Sequence, residues 1–209
     1  LIQNALDYTP RGGLSIPCIT CLDAGGEPHD ADQRRLVRFL IQGGRGADVI
    51  FVMGTTGEWN RLDQARRHRV IRVVVEETKK HESRLAQAGH TPVEAWVGIT
   101  APTRAETLET LELALEIGAH AGVIAPLAIR DVDDPVRFVA RDVADLLDAR
   151  DRRLPIFLYD NADISAGNVP HLRTKWVKQL SRLGREGWPL AIQLLVAMTR
   201  EDPTGEKPA

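Results

Sequence analysis

Short apolar runs alternate along the chain with longer segments whose apolar residues recur at three- and four-residue spacing, the two periodicities of strand and helix. The first run is Leu14 to Thr20. A helix follows from about Asp30 to Gln42, with Leu36, Phe39 and Leu40 on one face and a stop at Gly43-Gly44. The second run, Asp48 to Met53, leads into Gly54-Thr55-Thr56-Gly57-Glu58. The next helix, about Asp63 to Lys80, places Val70, Ile71, Val74 and Val75 inward. After a third run, Val93 to Thr100, Thr103 and Glu106 form a capping box. That helix turns Ala105, Leu108, Leu111 and Leu115 inward and ends at Gly118. A fourth run, Gly122 to Leu127, precedes a helix with Val136, Val139, Val143, Leu146 and Leu147 inward. A fifth run, Leu154 to Tyr159, is followed by a shorter helix from about Leu172 to Leu183. Pro189 to Met198 is the candidate sixth strand.

About five strand-helix units in strict alternation predict a parallel sheet covered by helices. The strands are apolar throughout, as expected when both faces are buried. Two α/β architectures fit, an open doubly wound sheet and a closed (β/α)8 TIM-type barrel. A dinucleotide-binding open sheet carries a glycine-rich turn after its first strand. Thr20 to Pro28 offers only Gly25-Gly26, and no G-x-G-x-x-G follows any strand. The barrel is favoured. A complete barrel takes about 250 residues, so the expectation is an incomplete one. It spans 13–183, between an N-terminal arm at 1–12 and a divergent segment at 184–209 whose tail has the composition of a disordered end.

Composition narrows the function classes. Lys plus Arg total 27 against 29 for Asp plus Glu, a net charge of −2, which gives no electrostatic case for nucleic acid or an anionic membrane surface. No apolar run approaches the roughly 18 residues of a membrane span. Leu1 to Arg11 lacks the order of a secretory signal, so the expected compartment is the cytoplasm. The chain lacks an initiator Met, consistent with a trimmed start. Cys18 and Cys21 are spaced as a redox pair or half a metal site, but no second pair exists and Cys18 lies in an apolar run, which favours a buried thiol. The six histidines show no metal spacing and are expected to be structural or exposed. The cluster Arg66-Arg67-His68-Arg69 is expected to be a solvated helix face.

Candidate chemistry sits where strands end. Gly54 and Gly57 let the backbone turn sharply and approach a ligand, and Thr55 and Thr56 place hydroxyls beside free backbone N–H groups. Such a cradle suits a carboxylate or phosphate, although a tight turn with locally capping threonines fits equally well. At the end of the fifth run Tyr159 can pass protons, or stand as a rim aromatic with a solvated hydroxyl.

Together these features resemble the dihydrodipicolinate synthase and N-acetylneuraminate lyase family. The likeness rests on Gly43-Gly44 through Gly57-Glu58, on GITAPTRAE at Gly98 to Glu106, on Glu116 to Ala121 followed by Val123 to Pro126, and on Tyr159 at the fifth strand. It covers roughly Gly13 to Leu183. The resemblance implies a lyase or aldolase that joins pyruvate, or a related 2-oxo acid, to a lysine as a Schiff base. By the same resemblance, Gly54, Thr55 and Thr56 bind the substrate, Thr56 and Tyr159 are the catalytic candidates, no metal or organic cofactor is needed, and the full barrel forms a homo-oligomer.

The chain departs from the family pattern in three places. Leu127 and Ala128 stand where many members have a tyrosine pair. Asp160-Asn161-Ala162-Asp163-Ile164 replaces a Pro and an Arg that help recognise substrate, which points to a different substrate. The family's Schiff-base lysine lies on the sixth strand, and Pro189 to Met198 contains none. Lys175 and Lys178 belong to the preceding helix, Lys79 and Lys80 to the second helix, and Lys207 to the polar tail. The abrupt change of character after Leu183 points to a frameshift, an alternative reading frame or a truncation. The expectation is therefore a family member of doubtful activity, with a non-catalytic carboxylate- or subunit-binding remnant as the alternative. An open sheet binding a phosphate at the same turn is a weaker third.

Overall fold

The computed structural model describes residues 12–152, 154–166, 171–185 and 192–196. The expected arm at 1–12, apart from Gly12, and most of 184–209 lie outside the described residues. Among the described residues six strands form one sheet: β1 Ser15–Pro17, β2 Val49–Val52, β3 Glu94–Gly98, β4 Ala121–Ile124, β5 Ile156–Asp160 and β6 Ile192–Val196. Each lies beside its neighbour in the chain and every pairing is parallel. The helices are α1 Asp30–Ile41, α2 Gln64–Gln87, α3 Arg104–Ile117, α4 Pro135–Arg137, α5 Ala144–Ala149 and α6 Thr174–Arg185. A π-helical stretch, Phe138–Val143, joins α4 to α5.

This order settles the choice of architecture. Crossovers between parallel strands are right-handed, so a sheet that steps always in one direction receives all its helices on one face. A doubly wound sheet needs a reversal of strand order, and none occurs among the described residues. The fold is an incomplete (β/α) barrel.

The two sheet faces divide accordingly. Ile50, Val52, Ala95, Val97, Ile124, Ile156 and Leu158 point outward into the main core, against Val37, Ile41, Ile71, Val74, Leu111, Val139 and Leu147 of the helical layer. Val49, Trp96, Ala121, Val123 and Phe157 form a second cluster on the inner face, with Phe51 and Tyr159 at its margin. Successive strand residues face opposite ways, so both clusters follow from one register.

The inner face also shows that the sheet is curved. Trp96 on β3 and Phe157 on β5 are separated by β4, and two strand spacings in a flat sheet amount to about 9.6 Å. Their rings nevertheless stack with centroids 4.1 Å apart at 22°. The rings close that gap by leaning over the small side chain of Ala121, opposite Trp96 in register, which the inward curl of a barrel sheet favours.

Elsewhere the outer layer is tied by charge. Glu77 of α2, nearly buried, accepts hydrogen bonds from Arg38 Nη1 at 2.6 Å and Arg34 Nη1 at 3.2 Å, both on α1. Burial pushes its carboxyl up, but these two donors outweigh that and hold it below the ordinary glutamate value.

Several expectations need correction. Phe39 is 67% exposed, and α1 instead buries Gln33, Val37, Leu40 and Ile41, a stripe rotated away from the one expected. Ala105 is exposed because α3 turns Thr107, Thr110, Leu111 and Ala114 inward. Helix α2 runs past Lys80 to Gln87, since Leu85 still packs inward and no breaker precedes Gly89. Strand β4 stops at Ile124, because Pro126 opens a 3-10 turn. Arg67 is buried rather than solvated: its Nη1 donates to Leu62 O at 2.7 Å and its Nη2 bonds to Gln64 Oε1. Cys18 is buried, as expected. The capping box forms in modified geometry, with Thr103 Oγ1 accepting from Glu106 N and donating to Glu106 Oε2, both at 3.3 Å.

Candidate functional site

The turn after β2 is built by three close approaches. Met53 leaves the strand with φ 58, a left-handed conformation that only its surroundings can enforce on a residue with a side chain. A 3-10 turn, Thr55–Gly57, follows, with Gly57 N donating to Gly54 O and Glu58 N to Thr55 O, both at 3.0 Å. Leading N–H groups of such a turn have no partner inside it, which leaves those of Thr55 and Thr56 for a ligand. From the β1 side Thr20 Oγ1 donates to Gly57 O at 2.7 Å. From the β3 side Gly98 lies so close that a Cβ there would stand 2.1 Å from Met53 O. At Gly54 a Cβ would meet the Phe51 ring at 2.5 Å, so that ring would have to shift.

At the end of β5 the half-buried Tyr159 turns its hydroxyl to the same place. Thr55 Oγ1 lies 3.4 Å from Tyr159 OH, although the two are 104 residues apart in sequence. Asn161 Nδ2 donates to the same hydroxyl at 3.3 Å, while Asn161 Oδ1 accepts from Asp163 N at 2.9 Å. The second bond fixes which way the amide points: with Oδ1 occupied, Nδ2 faces Tyr159. The tyrosine oxygen then accepts from Asn161 and shares a second hydroxyl contact with Thr55, in which either oxygen can donate. Phe51, Thr100, Trp59, Val123 and Ile164 surround the pair, and the space among them holds about one water.

Of the residues expected from sequence, Gly54, Thr55 and Tyr159 line this cleft together. Thr56 is exposed and takes no part in the hydroxyl network. Thr20 and Asn161 were not expected as contributors. Asn161 carried a readable signal, an Asn before a polar loop that suits an Asx turn; Thr20 carried none. Leu127 and Ala128 fall in a 3-10 turn, Pro126–Ala128, and bring no hydroxyl. Among the described residues no lysine lines the cleft, and none of the acidic, histidine and cysteine side chains are grouped in threes to hold a metal.

A parallel barrel-type α/β chain with a hydroxyl-lined turn at the carboxyl ends of its strands is of the class that uses this end for small-molecule chemistry. Residues 10–123 match the model of the dihydrodipicolinate synthetase family, and the chain belongs to that family. It is 36% identical over 109 residues to 4-hydroxy-tetrahydrodipicolinate synthase of Thioalkalivibrio sulfidiphilus, which covers 52% of this chain and 33% of that protein. Among solved structures it is similar to YagE of E. coli, a dihydrodipicolinic acid synthase family protein in complex with pyruvate. That similarity has a TM-score of 0.64 at 22% identity and covers 81% of this chain and 50% of the other. It is also similar to a catalytic lysine mutant of Ruminococcus gnavus sialic acid aldolase, with a TM-score of 0.63 at 14% identity, covering 88% and 53%. The chain thus spans about a third of the first relative and about half of the solved structures.

Proposed function

We propose that the chain holds the carboxylate of pyruvate or another 2-oxo acid at Gly54, Thr55 and Thr56, as a lyase of the Schiff-base aldolase type, with Tyr159 passing protons through Thr55. The observation that carries this reading is the convergence of Thr55 and Tyr159 hydroxyls from two strands beside a 3-10 turn whose leading N–H groups have no partner inside it. Such donors suit an anionic oxygen, and a threonine-tyrosine pair offers a path for the protons that carbonyl addition requires. The similarity to YagE, whose structure contains pyruvate, supports the substrate class. Because the cleft holds about one water, binding a 2-oxo acid requires its lining to open.

One observation favours a second reading, carboxylate binding without turnover. Strand β6 reads Ile-Gln-Leu-Leu-Val, and a Schiff base needs an amine beside the bound carbonyl. In that reading the site binds and orients, and the full barrel associates with other copies of itself.

Calorimetric titration with pyruvate tests the shared premise. Thr55→Val, which keeps the volume and removes the hydroxyl, should weaken binding about tenfold; unchanged binding removes the turn from the account. Borohydride reduction with pyruvate, followed by intact mass, then separates the two readings. An adduct on this chain establishes a reactive lysine and ends the binding-only reading, whereas retained binding without an adduct establishes it.

A further inference from the structure

On the outer layer, far in sequence from the turn, α4 and α6 face each other across a groove of about 660 Å³. Its lining gathers three cations in one place. Elsewhere arginines meet carboxylates, as Arg66 does Glu27, Arg72 does Glu116 and Arg150 does Glu112. In the groove Arg137, Arg141 and Lys175 stand together, and among the described residues no carboxylate lies within ion-pair distance of any of them. The single acid of the lining, Asp134, is already engaged, its Oδ1 accepting from Val136 N and Arg137 N at 3.0 Å. Trp176 and Gln179 complete the wall.

Three like charges in one groove repel, and the one carboxylate of the lining, Asp134, offsets only part of that cost, leaving the groove net positive. Two further features point the same way. Lys175 and Trp176 belong to the first turn of α6, the positive end of its dipole. Arg141 lies within the π-helical stretch Phe138–Val143, a winding frequent at functional sites. The volume falls in the range of small-molecule sites.

We infer that the α4–α6 groove is a binding site for a small multiply charged anion of the phosphate class. The guanidinium forks of Arg137 and Arg141 take its oxygens, Lys175 supplies a third charge, and Trp176 forms the apolar wall. The inference is independent of the 2-oxo acid site.

The test uses the full chain and inorganic pyrophosphate, followed by tryptophan fluorescence and calorimetry. Saturable binding is expected, weakening as salt is added. The double variant Arg137→Ala with Arg141→Ala should weaken it about tenfold or more, and both side chains are exposed, so the fold is retained. A matched double variant on α2, Arg69→Ala with Arg72→Ala, removes the same charge elsewhere and should leave binding unchanged. Absence of saturable binding overturns the site, as does equal weakening by the two double variants.

Discussion

At the scale of single residues, environment decides what a side chain can do. Cys18 shows this most plainly. Burial, reinforced by the neighbouring Cys21, pushes its thiol up to about 12, against the opposing hydrogen bond from Gln33. Only about one molecule in ten thousand carries its thiolate at pH 8, and the thiolate is the nucleophile. Cys21 is raised as well, by burial and by Asp32, but it is half-exposed. Iodoacetamide at pH 8 should therefore label Cys21 well before Cys18, with Cys18 reacting only after denaturant is added. Equal labelling of both by peptide mass spectrometry would show that the buried thiol is accessible. The burial of Cys18 was legible because it sits among apolar neighbours. That of Arg67 was not: its neighbours Arg66, His68 and Arg69 are all basic, and the partners that take its guanidinium, Leu62 O and Gln64 Oε1, are read only from the way α2 begins.

Between elements, contacts decide more than propensities do. The helix and strand periods were legible because each repeats many times over a segment. Which stripe of α1 faces inward was less so, since Leu36, Val37, Phe39, Leu40 and Ile41 offer two overlapping stripes. Docking on α2 through Glu77 selects the one that leaves Phe39 in water. Gly98 is a stronger case. As a residue of an apolar strand it invites replacement by alanine, yet its Cβ would lie 2.1 Å from the backbone oxygen of Met53. Backbone cannot rotate aside as a side chain does, so β2 and β3 would have to part. Gly98→Ala should lower stability by about 2–3 kcal/mol, whereas Gly12→Ala, with nothing within 4 Å, should be close to neutral. Urea denaturation of both variants checks the contrast; similar midpoints would mean that the strands yield easily.

For the whole molecule, the barrel class was legible from the alternation of units, and the direction of stepping then followed from the handedness of crossovers. The sixth strand was less so. Its residues fall in the segment where family likeness ends; the run Pro189 to Met198 marked a candidate, and pairing with β5, from Ile156 opposite Ile192 to Asp160 opposite Val196, sets its bounds and register. The site was legible in part. The turn announces itself locally, but the contact between Thr55 and Tyr159 spans most of the fold and exists only because β2 and β5 are bent toward each other.

That bending has an optical consequence. The stack of Trp96 on Phe157 holds an indole in a fixed, asymmetric aromatic field for as long as the sheet stays curved. Its near-ultraviolet circular dichroism is then a gauge of curvature, separate from the far-ultraviolet signal of the helices. Phe157→Leu should diminish the near-ultraviolet band while leaving the helical signal in place, and an unchanged band would assign it to another tryptophan. Read during a titration with pyruvate, the same band would register whether the closed end of the sheet opens to admit a ligand, without any label attached to the protein.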